Sequence, residues 1–348
     1  MDTAVTSVTS QTTMSPAHDQ VLGPEYETLF DPDTCTRRGL CPVTQIRKQG
    51  GPLESHSLYY EQHGTGPEKV VFIMGVNSTS FGWLSQVEYF GRLPQYSVLV
   101  FDNRGVGMSG TPRGPYTTSG MAEDVITLLD YLKWNEERSI HVVGISMGGM
   151  ISQELADRIP DRIISLSLIV TTAGGQFWLN MPPWKGSTSL ARLLMTGDPD
   201  VKVPILMDML YPRAWLAEKA KDDPEGRTNL EVQSSFYHWR LKITRPQTPI
   251  GALSQMYAGL THYVSPARLR KISSSIPKVV ILTGDQDDVI RSSDSRHLHR
   301  HMPEAEFHWW EGTGHGISAQ WKTRFNELLE KTFEAGRLSV AAASVDTN

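Results

Sequence analysis

The chain lacks most of the features that would set it apart from ordinary globular proteins. Its 348 residues include only two cysteines, Cys35 and Cys41, so no disulfide framework is expected and both are read as reduced thiols in a loop-like early segment. There is no excess of one charge: 33 Lys and Arg stand against 38 Asp and Glu, a net charge of −5. That balance gives no reason to expect nucleic acid or an anionic membrane as partner. No apolar run approaches the length needed to span a bilayer. No Lys or Arg precedes Arg37, which removes the charged start of a secretory signal and the Arg-rich face of a mitochondrial one. The final residues Ser344–Asn348 match no retention or peroxisomal address, so a cytoplasmic location is expected.

What is present is a core. Hydrophobic residues make up 39% of the chain and charged residues 20%, enough for one large α/β domain. Residues 1–30 are rich in Ser and Thr and show no periodicity, so a disordered extension is expected there. Val43–Lys48 and Ser57–His63 read as strands around the turn Gly50-Gly51-Pro52. Lys69–Met74, Ser97–Phe101, His141–Ile145 and Ile163–Val170 are nearly unbroken apolar runs, as strands buried on both faces should be. Helical spacing separates them, notably Met121, Val125, Leu128, Leu129 and Leu132 on one face. This alternation predicts a parallel sheet with helices on both sides. It stops over 172–265, an irregular stretch holding Trp178, Trp184, Trp215, Phe236, Trp239 and several methionines. It resumes with Lys278–Leu282, Ser293–His301, Glu306–Trp309 and Ala319–Phe333. The expected organisation is therefore a first core part at 31–171, an insertion at 172–265, a second core part at 266–335 and a flexible tail at 336–348.

The chemistry is organised around Gly144-Ile145-Ser146-Met147-Gly148. A strand before this motif and helical spacing after it give the setting in which it exposes a serine hydroxyl on a sharp turn. Gly144 and Gly148 are needed because side chains there would collide with the flanking strand and helix. A serine hydroxyl needs a base. Among eleven histidines, His315 stands out in Gly312-Thr313-Gly314-His315-Gly316, a loop between a strand and a helix, where such sheets build their sites. His141 reads as a core residue of the serine's own strand, and His18, His56 and His63 lie early, away from strand ends. The base needs a carboxylate. Asp285, Asp287 and Asp288 all follow the Lys278–Leu282 strand, and Asp287 is chosen because it should point back toward the site. His297, His299 and His301 look like a metal cluster, but only His297 and His301 would share a helical face, so no metal is expected.

The order Ser146, Asp287, His315, with Asp102-Asn103-Arg104-Gly105-Val106-Gly107-Met108-Ser109 after the fourth strand, resembles the serine hydrolases of the α/β-hydrolase fold. The similarity covers roughly residues 40 to 335 and extends to esterases, proline iminopeptidase-like enzymes and C–C-bond hydrolases. It implies a mostly parallel sheet of about eight strands with an inserted helical lid. It implies an oxyanion hole at the backbone N–H groups of Met147 and Val76, although Met74 stands where many relatives have histidine. Asp102 and Arg104 are expected to brace their loop. Ser146 argues against epoxide or carbon–halogen cleavage, whose enzymes place aspartate there. The reading is therefore an esterase-type hydrolase of a small apolar or aromatic substrate, without cofactor. The alternatives are a ligand receptor of the same fold with little turnover, and a C–C hydrolase or acyltransferase using the same residues. Oligomeric state is not legible.

Overall fold

The alternation of buried runs and helical stretches becomes one eight-stranded sheet in a computed structural model that describes residues 26–46, 53–221 and 223–346. β1 (Cys35–Ile46) and β2 (Leu53–His63) form an antiparallel pair, and β2 pairs antiparallel with β4 (Tyr96–Phe101). β3 (Glu68–Ile73) lies between β4 and β5 (Ile140–Ile145), followed by β6 (Ile163–Ile169), β7 (Lys278–Gly284) and β8 (Glu306–Trp310), all parallel to one another. The order is β1-β2-β4-β3-β5-β6-β7-β8. β4, β5 and β6 are buried along their whole length, the reason their sequences are apolar without alternation.

Adjacent residues of each strand face opposite layers. Val71 and Ile73 join a core with α2 (Thr118–Tyr131), α3 (Met147–Arg158), α9 (Pro266–Ser275) and α10 (Ser292–His301). Val70 and Phe72 join a second core with α1 (Leu84–Phe90) and α12 (Lys322–Asp346). Between β6 and α9 lie α4 (Trp184–Met195), α5 (Pro199–Leu210), α6 (Arg213–Ala217), α7 (Asn229–Ile243) and α8 (Pro249–Leu260). A short helix, α11 (Ile317–Gln320), precedes α12. No helix among the described residues is long and apolar enough to cross a membrane.

Three expectations need correction. Cys35 and Cys41 are not in a loop but on β1, where both thiols are free; residues six apart along one extended strand are too far apart to pair. The tail expected from residue 336 is helical as far as Asp346, because α12 continues past its buried Phe333. Within residues 26–30, expected to belong to an extension, Tyr26 lies against Tyr59, Thr28 donates to Glu61 and Phe30 is buried against Phe81 and His63. Residues 1–25 and the turn Gly50-Gly51-Pro52 lie outside the described residues.

The two ends of the insertion meet at His262. Gly174 bridges Tyr263, and the His262 carbonyl accepts from Gly175 N–H and Asn180 Nδ2 at 3.1 and 2.8 Å. The ring is buried with Nδ1 2.8 Å from Thr118 Oγ1, and burial pushes its pKa down from 6.5 to about 4. The unfolded chain therefore takes up a proton near pH 6.5 that the folded chain refuses until about pH 4. The stability from the neutral ring is full above pH 6.5 and is lost as pH falls toward 4. His262→Gln should flatten the slope of unfolding free energy against pH across that window, removing a dependence of about 3 kcal/mol. Denaturant titrations at several pH values check it, and an unchanged slope would contradict a buried neutral ring.

Candidate active site

At the carboxyl end of β5 the chain turns so sharply that Ser146 takes φ 56° and ψ −123°. Positive φ costs a residue with a Cβ about 1–3 kcal/mol, and the surroundings hold it there. The Ser146 N–H donates to the Ile169 carbonyl at 2.9 Å. The Ser146 carbonyl accepts from Thr171 Oγ1 at 2.8 Å and from Gly149 N–H at 2.9 Å. A Cβ on Gly148 would lie 2.0 Å from the Ile73 oxygen, and one on Gly144 2.2 Å from Ser152 Oγ. Neither position can carry a side chain unless its neighbours shift, and the motif needs glycine at both ends.

The loop after β3 lies beside this turn. A Cβ on Gly75 would be 3.0 Å from Ser146 Cβ and 3.5 Å from its Oγ. Val76 follows, half-buried, then Asn77 at φ 54°. Asn77 N–H donates to Gln255 Oε1 at 2.7 Å, and Gln255 Nε2 donates to the Arg104 carbonyl at 2.7 Å. Gln247 Nε2 donates to the Gly105 carbonyl and to Asn77 Oδ1. The insertion thus grips both loops flanking the serine through two glutamines. Met147 is the first residue of α3, so its amide is among those without an intrahelical acceptor.

His315 lies between β8 and α11, and its Nδ1 is 2.7 Å from Asp287 Oδ2 with both side chains largely buried. A carboxylate can only accept, so Nδ1 carries the proton and Nε2 presents its lone pair outward. The other Asp287 oxygen accepts from Val289 and Ile290 N–H at 2.8 and 2.9 Å. The neighbouring aspartates face elsewhere. Asp285 accepts from Thr313 N–H at 3.0 Å and so ties the histidine loop to β7. Asp288 pairs with Lys185 of the insertion at 2.8 Å. Gln320 clamps the same loop from α11, accepting from Gly314 N–H and donating to the Gly312 carbonyl.

Asp102 and Arg104 brace their loop. Asp102 accepts from Ser80 N–H and Oγ and from Met108 N–H, while Arg104 forms a buried two-pronged pair with Asp124. His141 is fully buried in β5, 2.8 Å from Ser165 Oγ, and burial holds its pKa down. His297 and His301 stack at 4.6 Å and His299 lies on Phe307. Among the described residues these three histidines do not converge with a carboxylate or thiol tightly enough to share an ion. Gln255, Gln247 and Gln320 escaped the sequence reading. The one signal for them was Gln255 between Ala252 and Ala258 on a buried helical face.

Ser146, Asp287 and His315 are brought to the carboxyl ends of β5, β7 and β8. A family model described as serine aminopeptidase, S33, matches residues 67–319. The chain belongs to this family. As an S33-family chain it has the α/β-hydrolase fold and is a hydrolase. It is similar to a protein of Azorhizobium caulinodans named carbamate hydrolase RutD, 26% identical over 272 residues, 78% of this chain and 93% of that one. It is also similar to a poly(3-hydroxyalkanoate) depolymerase of Ectopseudomonas oleovorans, 29% identical, covering 62% of this chain and 67% of that protein. Among solved structures, a thermophilic esterase from Thermogutta terrifontis shares the fold, with TM-score 0.66, 20% identity and coverage of 86% of this chain and 99% of that one.

The aromatic content of the insertion divides in two. Met207, Tyr211 and Trp215 form a small core of their own, and Phe236 and Trp239 pack on Phe81. Trp178 and Trp184 are exposed.

Proposed function

We propose that the chain is a serine hydrolase cleaving an ester, or a related acyl bond, of a small apolar or aromatic substrate. Ser146 Oγ attacks the carbonyl carbon while His315 Nε2 takes its proton. The backbone N–H groups of Val76 and Met147 hold the developing oxyanion. His315 then returns the proton to the leaving alcohol, and the acyl group stays on Ser146. Water attacks next, losing a proton to His315, and the acid departs as Ser146 is reprotonated. Asp287 stays ionised and stabilises the imidazolium. The observation that carries this reading is the 2.7 Å contact between His315 Nδ1 and Asp287 Oδ2, supplied from loops at the same sheet end as the strained serine. A serine-directed phosphonate probe, followed by p-nitrophenyl esters of rising chain length and a matched aryl carbamate, tests it. Labelling at Ser146 with ester turnover is expected. Faster turnover of the carbamate would move the substrate class toward that named for the RutD relative. Ligand binding without turnover of any of them would favour a receptor.

The same reading assigns Gln255 a positioning role. Gln255→Leu removes the acceptor of the Asn77 N–H and so loosens the loop carrying the Val76 amide. kcat should fall about ten- to a hundredfold with KM little changed, while the thermal melt stays cooperative. A KM effect alone would place Gln255 in substrate binding instead.

A further inference from the structure

Away from the site just described, the start of β1 and the end of β2 bring together a thiol, an imidazole and a carboxylate. Cys35 is the ladder partner of His63 across the antiparallel pair, and Glu61, two residues before His63, faces the same side. Cys35 Sγ is 3.7 Å from Glu61 Oε2, His63 Nε2 is 3.4 Å from the same oxygen, and all three atoms lie within 4.8 Å of one another. Tetrahedral zinc, with bonds of about 2.0–2.3 Å to sulfur, nitrogen and oxygen, sets its ligand atoms roughly 3.3–3.7 Å apart. Two of the three separations already match.

Thr34 Oγ1 lies 2.9 Å from the Asp31 carbonyl and 2.8 Å from His63 Nδ1. A hydroxyl that donates to the carbonyl accepts from Nδ1–H, the tautomer that leaves the Nε2 lone pair free to bind a metal in the cluster. His63 is fully buried, and its Nε2 makes no hydrogen bond among the described residues. In that tautomer a cation between Nε2 and the Glu61 oxygen, 3.4 Å apart, would satisfy the lone pairs of both. Glu61 is likewise oriented: Tyr59 donates to Oε1 at 2.8 Å and Thr28 to Oε2. A divalent cation would take the place of the Cys35 thiol proton, which leaves to solvent. One thiolate and one carboxylate then neutralise the ion's two charges inside a largely buried cluster.

We infer that Cys35, Glu61 and His63 form a zinc site, closed by water at the half-exposed Cys35 side. Thiolate, imidazole and carboxylate together are a donor set that suits zinc. Thr34 and Tyr59 act as the outer partners that orient His63 and Glu61. The site pins β1 to β2 where β2 pairs with β4, His63 opposite Val98 and Glu61 opposite Val100, so it stabilises the fold.

The experiment uses the full chain without a histidine tag, stripped with chelator and then given zinc alone. One zinc per chain should survive desalting, raise the melting temperature and protect Cys35 from iodoacetamide. Cobalt in place of zinc should show thiolate charge-transfer absorption. Cys35→Ser should lose that band and bind zinc at least tenfold more weakly, with Tyr59→Phe weakened by about tenfold. His297→Ala with His301→Ala should leave binding unchanged. His63→Ala removes a buried ring and risks unfolding the chain, so the decisive variant is Cys35→Ser, whose cooperative melt is checked first. Zinc that fails to stay at one per chain would overturn the inference, as would a Cys35→Ser chain that binds zinc like the native one.

Discussion

Ser146→Ala is expected to lower kcat by about 10⁶-fold while the chain stays folded, the scale found when a serine hydrolase loses its nucleophile. The residual rate over water should come from the oxyanion-hole amides, which the substitution does not touch. The backbone at this position supplies an internal control. Alanine keeps the Cβ that φ 56° disfavours, whereas Ser146→Gly relieves it by about 1–3 kcal/mol. Both variants should be inactive, and only the glycine variant should melt higher than the native chain. Ester turnover, phosphonate labelling with mass mapping and thermal melts read all three points. Labelling that persists on Ser146→Ala at another serine would refute the nucleophile.

Asp287→Asn should cost about 10⁴-fold in kcat, because an amide at Oδ2 can present a donor to Nδ1 and favours the wrong imidazole tautomer. Its neighbours provide the contrast. Asp285→Asn keeps an acceptor for Thr313 N–H, and Asp288→Asn loses only a half-exposed pair with Lys185. An exposed pair of that kind contributes at most about 1 kcal/mol. Both should stay within about tenfold of native kcat, which is about 1.4 kcal/mol. Should Asp285→Asn prove the crippling substitution, the acid of the mechanism would be the residue that ties the histidine loop, and the proposed proton path would be wrong. Steady-state kinetics on one ester settles the order.

The sheet was legible because its strands are buried on both faces. A run such as Val70-Val71-Phe72-Ile73 suits a central parallel strand, which buries both faces. Ser146 was legible for a related reason: the turn around it is so tight that only glycine fits at Gly144 and Gly148, and such steric demands leave a local signature. The packing of residues 26–30 was not visible, since Phe30 is one aromatic in a polar stretch and its partners Phe81 and His63 lie far along the chain. Nor was the helical end of α12, where exposed residues carry no periodic signal.

By itself the sequence determined the fold class and the sharp turn that carries Ser146, because backbone sterics and hydrophobic period act between near neighbours. For the carboxylate the sequence pointed to Asp287 among three candidates, and the tertiary structure is what sets Asp287 Oδ2 2.7 Å from His315 Nδ1. The three differ by the direction in which one turn releases each carboxylate, and that direction is set by amides and a lysine elsewhere in the fold. It likewise decided that Gln255 holds the loop beside Ser146, 178 residues away from Asn77. It alone set Cys35 opposite Glu61 and His63, since strand register is a relation between two segments that neither segment states.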